Sequence, residues 1–246
     1  MEGSPARVLV LEDDPAVCRF VQLVLDALPI DLVVCPTLRE ARKHLAGAPV
    51  QVVLMDLTLP DGSGLELLDG LPCGAPDAVR RTVVFSGGVD AALQRQLEVR
   101  GVWRVLHKPA SVGSLLACVT DALDSLPAAT DTAPSIPSGA DGDPVGLFFG
   151  GNRGLYEAYR QTCLDQFPKD LEEGGRAADA GDAPALRRVA HNLKSVLALL
   201  GEAQAAQQAR STEEFAAVGA LEPMRKGWQQ TCSLLRGLLA ASERRR

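Results

Sequence analysis

The chain has 246 residues, enough for two domains of ordinary size and too many for one small core. With 46% hydrophobic and 23% charged residues it reads as a folded soluble protein, which excludes a disordered chain. A net charge of −6, no signal-like N-terminus and no apolar run near about 18 residues argue against nucleic-acid binding, export and membrane contact. The expected location is cytoplasmic. Six cysteines at 18, 35, 73, 118, 163 and 232 form no C-x-x-C pair, and read as small core residues in a reducing compartment.

In chain order, buried-strand runs occur at Val8–Leu11, Leu32–Cys35, Val52–Met55, Val83–Phe85 and Val102–Leu106. Helical patterns alternate with them. Pro15 opens one running to Leu28, Thr37 can cap Leu38–Leu45, and Ser111 can cap a helix from Val112 to about Leu126. Five strands alternating with five helices predict an α/β domain, a doubly wound parallel sheet over residues 6–126. Residues 127–143 carry almost nothing to bury and predict a flexible linker with a random-coil span of roughly 20–25 Å. From 144 to 243 the pattern is all-α: a short helix near Val145–Phe149, then longer ones near 153–178, 183–200, 203–218 and 222–243. Gly174-Gly175, Gly181, Gly201, Gly219 and Pro223 punctuate them. Four long amphipathic helices with short connections predict an antiparallel bundle.

The chemically suggestive residues of the first domain fall at carboxyl ends of strands, where doubly wound sheets place their ligands. Glu12, Asp13 and Asp14 follow the first strand and Asp56 the third; Ser86 ends the fourth, and Lys108 follows the fifth. Clustered carboxylates need a hard cation, and an oxygen-only set suits Mg²⁺. A carboxylate beside that ion can act as a nucleophile toward phosphorus, with a hydroxyl and an ammonium binding the phosphoryl oxygens.

VLVLEDDP, VVLMDLTLPDGSGLELL, VVFSGG and VLHKP together resemble a two-component response-regulator receiver domain of the CheY-like, flavodoxin-like kind. The resemblance implies Asp56 as phosphoacceptor and a Mg²⁺ site made by Glu12, Asp13, Asp56 and the Thr58 carbonyl. It further implies Ser86 as switching hydroxyl and Lys108 as phosphoryl-binding lysine, with small Gly87 beside the entering group. One departure is Val105, where receivers usually carry Tyr or Phe; the nearby aromatic is Trp103. A haloacid-dehalogenase-type phosphatase would want an acid at position 58, where this chain has Thr58.

In the second half, ALRRVAHNLKSVLALLG places Leu186, Ala190, Leu193, Leu197 and Leu200 on one buried seam. His191 and Lys194 lie just off it, three apart, and are expected to be exposed to a partner. His191-Asn192-Leu193-Lys194-Ser195 with Gly201 resembles the signature of a histidine-phosphotransfer domain, with Ser195 in place of the usual glycine. That implies His191 as a second phosphoacceptor assisted by Lys194.

The sequence shows no ATP-binding signature and no DNA-binding output segment, so the chain is expected to be a phosphotransfer intermediate rather than a classical enzyme. The implied partners are an upstream sensor histidine kinase and a response-regulator receiver, and the candidate contacts include a receiver–Hpt contact within one chain. The alternative function is a phosphorylation-gated binding module, or a kinase-docking regulator, whose helical domain transfers nothing.

Overall fold

In the computed structural model, residues 5–70, 79–124 and 143–244 are described. The 127–143 linker, but for its last residue, and Cys73 lie outside them. The chain divides into two compact units, Met1–Gly151 and Asn152–Arg246.

Unit one has strands β1 (Ala6–Leu11), β2 (Ile30–Cys35), β3 (Val50–Met55), β4 (Thr58–Leu59), β5 (Gly62–Ser63), β6 (Val79–Ser86) and β7 (Arg104–His107). Its helices are α1 (Pro15–Leu25), α2 (Leu38–Gly47), α3 (Leu65–Gly70), α4 (Ala91–Val99), α5 (Val112–Leu123) and α6 (Pro144–Phe149). The main sheet is parallel with order β2-β1-β3-β6-β7, while β4 and β5 form a small antiparallel hairpin. The strand order reverses beside β1, which creates a crevice at the carboxyl ends of β1 and β3. Both sheet faces are covered. Leu9, Leu11, Val53, Met55 and Val84 pack with Leu38 and Leu97 on one side. By the two-residue pleat, Val8, Val10, Val52 and Leu54 are buried on the other.

Helix starts follow their caps. Asp14 accepts hydrogen bonds from Ala16 N and Val17 N at α1, Thr37 from Glu40 N at α2, and Ser111 from Ser114 N at α5. The last strand begins at Arg104, two residues later than the apolar run implies. Val102 and Trp103 precede it, and the guanidinium groups of Arg81 and Arg104 lie over the Trp103 ring, 5.0 and 4.4 Å from its centroid.

The short helix α6, which the 144–243 boundary assigns to the bundle, groups with unit one. Phe149 is fully buried and meets Phe20 of α1 edge-on, with ring centroids 5.8 Å apart and planes at 86°. Apolar area at the α1 surface decides this placement, and linear sequence cannot show it. Phe149→Ala is expected to lower the stability of the first unit by about 3 kcal/mol, through lost burial and a residual cavity. Urea unfolding of the full chain, compared with wild type, measures it; an unchanged midpoint would mean that α6 is only loosely attached.

Unit two is built from α7 (Arg153–Ala180), α8 (Ala183–Leu199), α9 (Ala203–Ala217) and α10 (Leu221–Glu243). Helix α7 runs straight through Gly174-Gly175, which the sequence marks as punctuation. A Cβ on Gly174 would lie 2.1 Å from the Trp228 ring of α10, so this glycine is a packing contact rather than a break. Gly181 and Gly201 do end helices, at φ of 70° and 80°.

Candidate functional site

The strand ladders themselves place the first site. Each key residue is the first one past its strand, and its main-chain N–H closes the ladder onto the neighbouring strand. Glu12 N donates to Cys35 O (3.1 Å), Asp56 N to Leu11 O (2.8 Å) and Lys108 N to Ser86 O (3.0 Å). Three parallel strands therefore deliver Glu12, Asp56 and Lys108 to one edge of the sheet, with Ser86 buried at the end of β6.

The side chains meet there. Lys108 Nζ donates to Glu12 Oε2 at 2.5 Å and to Asp56 Oδ2 at 2.6 Å, and both carboxylates are 1% exposed. The other Asp56 oxygen, Oδ1, accepts from Leu57 N (2.6 Å) and from Thr58 N at a longer 3.4 Å. Burial pushes the Glu12 acid well above its usual range, against the pull of Lys108, with the Asp56 charge adding to the rise. Lys108 moves upward despite its own burial, because Asp56 and Glu12 both favour the ammonium. Asp14, given no direct role by the sequence, is the cap of α1; burial raises its acid while Val17 N and Ala16 N oppose the rise.

The loop after Asp56 is braced. Asp61 accepts from Leu38 N (2.9 Å) and Arg39 N (3.1 Å) at the start of α2, and Glu66 accepts from Ser63 N (3.0 Å). Gly64, which the sequence reading did not single out, sits where a Cβ would fall 2.3 Å from the Asp56 carbonyl oxygen. A glycine so near a strand-end acid in LPDGSG was the available signal. Val105 is aliphatic and packs against the hydrophobic cluster, and the Trp103 ring is in contact with Arg81 and Arg104, so neither supplies a freely rotating ring at the usual aromatic position.

The donors suit a hard cation by chemistry. Glu12, Asp13, Asp56 and the Thr58 carbonyl offer only oxygen, and three carboxylates against the single Lys108 ammonium leave two formal negative charges. Among the described residues, however, no three His, Cys, Asp or Glu side chains already stand grouped as a metal cage. Lys108 occupies the space between two of the carboxylates.

The second site lies on α8. His191 Nδ1 and Glu213 Oε1 of α9 are 2.7 Å apart, and Lys194 Nζ donates to Glu213 Oε2 at 2.7 Å. The sequence pairs His191 with Lys194, and the structure brings both to one carboxylate that the sequence did not reveal. Glu213 is 22 residues away on another helix, in an ordinary STEEF run. One expectation is corrected here. His191 is 5% exposed rather than open, because the α8 face that carries it turns toward α9, where Glu213 takes its ring nitrogen. Its Nε2 is buried and makes no hydrogen bond, and Ser195 Oγ, one turn on, is likewise buried and unpaired.

Burial alone would raise the Glu213 acid, but the hydrogen bonds and charges of His191 and Lys194 outweigh it and bring it down to about 2, from 4.5. A depressed carboxyl stabilises the fold above its unfolded value and loses that contribution as pH falls through the folded one. Wild type is therefore expected to exceed Glu213→Gln by about 2 kcal/mol at neutral pH, allowing for solvent screening. The gap should close between about pH 4.5 and pH 2, as seen in urea titrations followed by helical circular dichroism. A pH-independent gap would show that the ion pairs contribute nothing.

Comparison with known proteins bears on the two domains. The family model of the response regulator receiver domain matches residues 8–120, and that of the Hpt domain matches residues 158–245. This chain is a receiver–Hpt protein. The response regulator protein PilR of Pseudomonas aeruginosa is 30% identical over 120 residues, 49% of this chain and 26% of that protein. The transcriptional regulatory protein UhpA of Salmonella typhimurium is 38% identical over 116 residues, 45% of this chain and 56% of that one. The receiver–Hpt chain thus spans between about a quarter and just over half the length of these relatives. A response regulator receiver domain protein (CheY-like) from Methanospirillum hungatei is similar in structure, with 22% identity and a TM-score of 0.45. It covers 49% of this chain and 95% of that one. No helix among the described residues is long and apolar enough to cross a membrane.

Proposed function

We propose that the chain is a phosphorelay protein: Asp56 accepts a phosphoryl group from the phosphohistidine of a sensor kinase, and His191 carries one to or from a receiver aspartate. The observation that carries this reading is the Asp56 carboxylate itself. It is buried, with one oxygen held by main-chain N–H groups and the other by Lys108.

Asp56 is a preoriented nucleophile. In an in-line displacement its oxygen forms the new O–P bond as the N–P bond of the donor histidine breaks. Lys108, beside both carboxylates, can exchange a carboxylate partner for a phosphoryl oxygen, and Ser86 at the end of β6 supplies a hydroxyl at the same edge. Glu12, Asp13, Asp56 and the Thr58 carbonyl would hold Mg²⁺, which when bound neutralises carboxylate and phosphoryl charge. The braced Asp61–Gly64 loop keeps the Thr58 main chain in place for that role. In the Hpt domain, exposing His191 Nε2 is part of any transfer step, since the atom is covered at rest.

The test is labelling of the full chain with acetyl phosphate, with and without Mg²⁺, in wild type and His191→Gln. Acid and base lability of the label distinguish acyl phosphate from phosphohistidine. Mg²⁺-dependent acyl phosphate, with an acid-labile fraction missing from His191→Gln, is the expected pattern. An intact acyl phosphate that never discharges to His191 or to any Hpt partner would sink the relay reading and leave a gated binding module.

A further inference from the structure

A hydroxyl inside a helix commonly satisfies itself on its own backbone, by donating to the carbonyl one turn before. The bundle does this at Thr162, which donates to Ala158 O (3.2 Å), and at Ser211 to Gln207 O (3.3 Å). Thr212 donates likewise to Gln208 O (2.9 Å) and Thr231 to Gly227 O (3.0 Å). Ser195 does not. It is 3% exposed, yet its Oγ is bonded neither to His191 O nor to any other group. A buried hydroxyl left unpaired costs stability, so its presence on α8 needs a reason outside the fold. The second orphan is on the same turn: Nε2 of His191 is also buried without a partner. Residues four apart stand about 40° apart round a helix, so Ser195 and His191 share one face of α8. Asn192 Oδ1 is unpaired as well, but its residue lies about 100° round from His191. Lys194 Nζ is already engaged with Glu213 Oε2 at 2.7 Å. Between Lys194 and Ser195, the hydroxyl is the donor left uncommitted.

We propose that Ser195 is a phosphoryl-binding residue of the Hpt domain: its hydroxyl donates to a non-bridging oxygen of the group carried on His191 Nε2 and prolongs the life of the phosphohistidine. The proposal deepens the phosphorelay reading and rests on it for the origin of that group. In the transfer step the Nε2 lone pair forms the N–P bond while the O–P bond to the donor aspartate breaks, and the aspartate oxygen keeps the bonding pair. The Ser195 proton stays on Oγ throughout, and only its hydrogen bond forms. Because both orphans sit on one turn of α8, uncovering Nε2 for a partner uncovers Oγ with it. Loss of the group breaks the N–P bond through a loose, metaphosphate-like state. Charge on the phosphoryl oxygens falls in that state, so a donor bonded to them favours the intact phosphohistidine. Serine in place of the usual glycine thus lowers the stability of the resting bundle and lengthens the life of the loaded one.

The test uses the full chain carrying Asp56→Asn, so that no phosphoryl group passes to the receiver, labelled with phosphoramidate. His191→Gln gives the background from His44 and His107. Serine at position 195 is compared with Ser195→Ala and Ser195→Gly. ³¹P NMR follows the phosphohistidine signal through its pH titration, and the decay of that signal gives its lifetime. A hydroxyl donor favours the more highly charged phosphoryl form, so the serine protein is expected to titrate at lower pH than either variant. It should also decay roughly 10-fold more slowly, the effect of one hydrogen bond to a charged acceptor. In the unphosphorylated protein Ser195→Ala is expected to raise the urea midpoint, because the hydroxyl is unpaired there. A residue that is only a spacer would let alanine keep the serine titration and lifetime while glycine departs from both. A hydroxyl that serves the fold would lower the urea midpoint on removal. Either result overturns the proposal. Failure of the relay looks different: the serine-dependent titration and lifetime persist, yet no receiver accepts the group from the loaded protein.

Discussion

Asp56→Asn is expected to reduce Mg²⁺-dependent acyl-phosphate labelling of the chain to background while leaving the fold intact. The amide keeps an oxygen to accept from Leu57 N, so the braced loop retains its main hydrogen bond. What it loses is the anionic Oδ2 facing Lys108, on a carboxylate whose other oxygen is aligned by the main chain. An amide nitrogen has its lone pair delocalised and is no substitute. Circular dichroism should match wild type, so loss of label cannot be blamed on unfolding. Label persisting at wild-type level would place the acceptor elsewhere and remove the basis of the receiver chemistry.

Lys108→Ala should have the largest effect on stability, on the order of 3–5 kcal/mol in the absence of divalent ion, because two buried carboxylates lose their common counter-ion. Glu12 and Asp56 are almost completely hidden, and Lys108 is the cation bonded to both. The Lys108 ammonium also lies over the Phe85 ring, 5.1 Å from its centroid, so a cation–π contact is lost with the charge. Excess Mg²⁺ is expected to restore part of the loss, since an oxygen-only cluster of net negative charge is what such an ion binds. Urea midpoints with and without Mg²⁺ measure both effects. A variant as stable as wild type would mean that the carboxylates are neutral or solvated, and would contradict the buried geometry.

The receiver site was legible in the sequence because it is assembled from chain ends of strands. Each of Glu12, Asp56, Ser86 and Lys108 follows or closes an apolar run, and parallel strands of a doubly wound sheet all end on one side. Position along the chain was thus enough to put them in one crevice. The pairings inside that crevice were not legible: Lys108 bridging Glu12 and Asp56, Asp61 reaching α2, and the bare approach of Gly64 to the Asp56 carbonyl depend on where backbones come within a few ångströms. The bundle was harder. His191 and Lys194 share a helix face by their spacing, but no helical period announces a partner on another helix, so Glu213 and the burial of His191 were missed together.

Sequence alone determined the two domain classes and their order, because strand and helix periods are local properties of the chain, and the resemblance of its motifs to known families marked Asp56 and His191 as phosphoacceptor candidates. Tertiary structure alone decided that α6 groups with the receiver through Phe149 and Phe20, that Gly174 serves Trp228 rather than ending a helix, and that one carboxylate holds both His191 and Lys194. These are contacts between residues far apart in sequence. Their energies come from area removed from water and from charges brought within hydrogen-bond distance, quantities that exist only once the elements have packed.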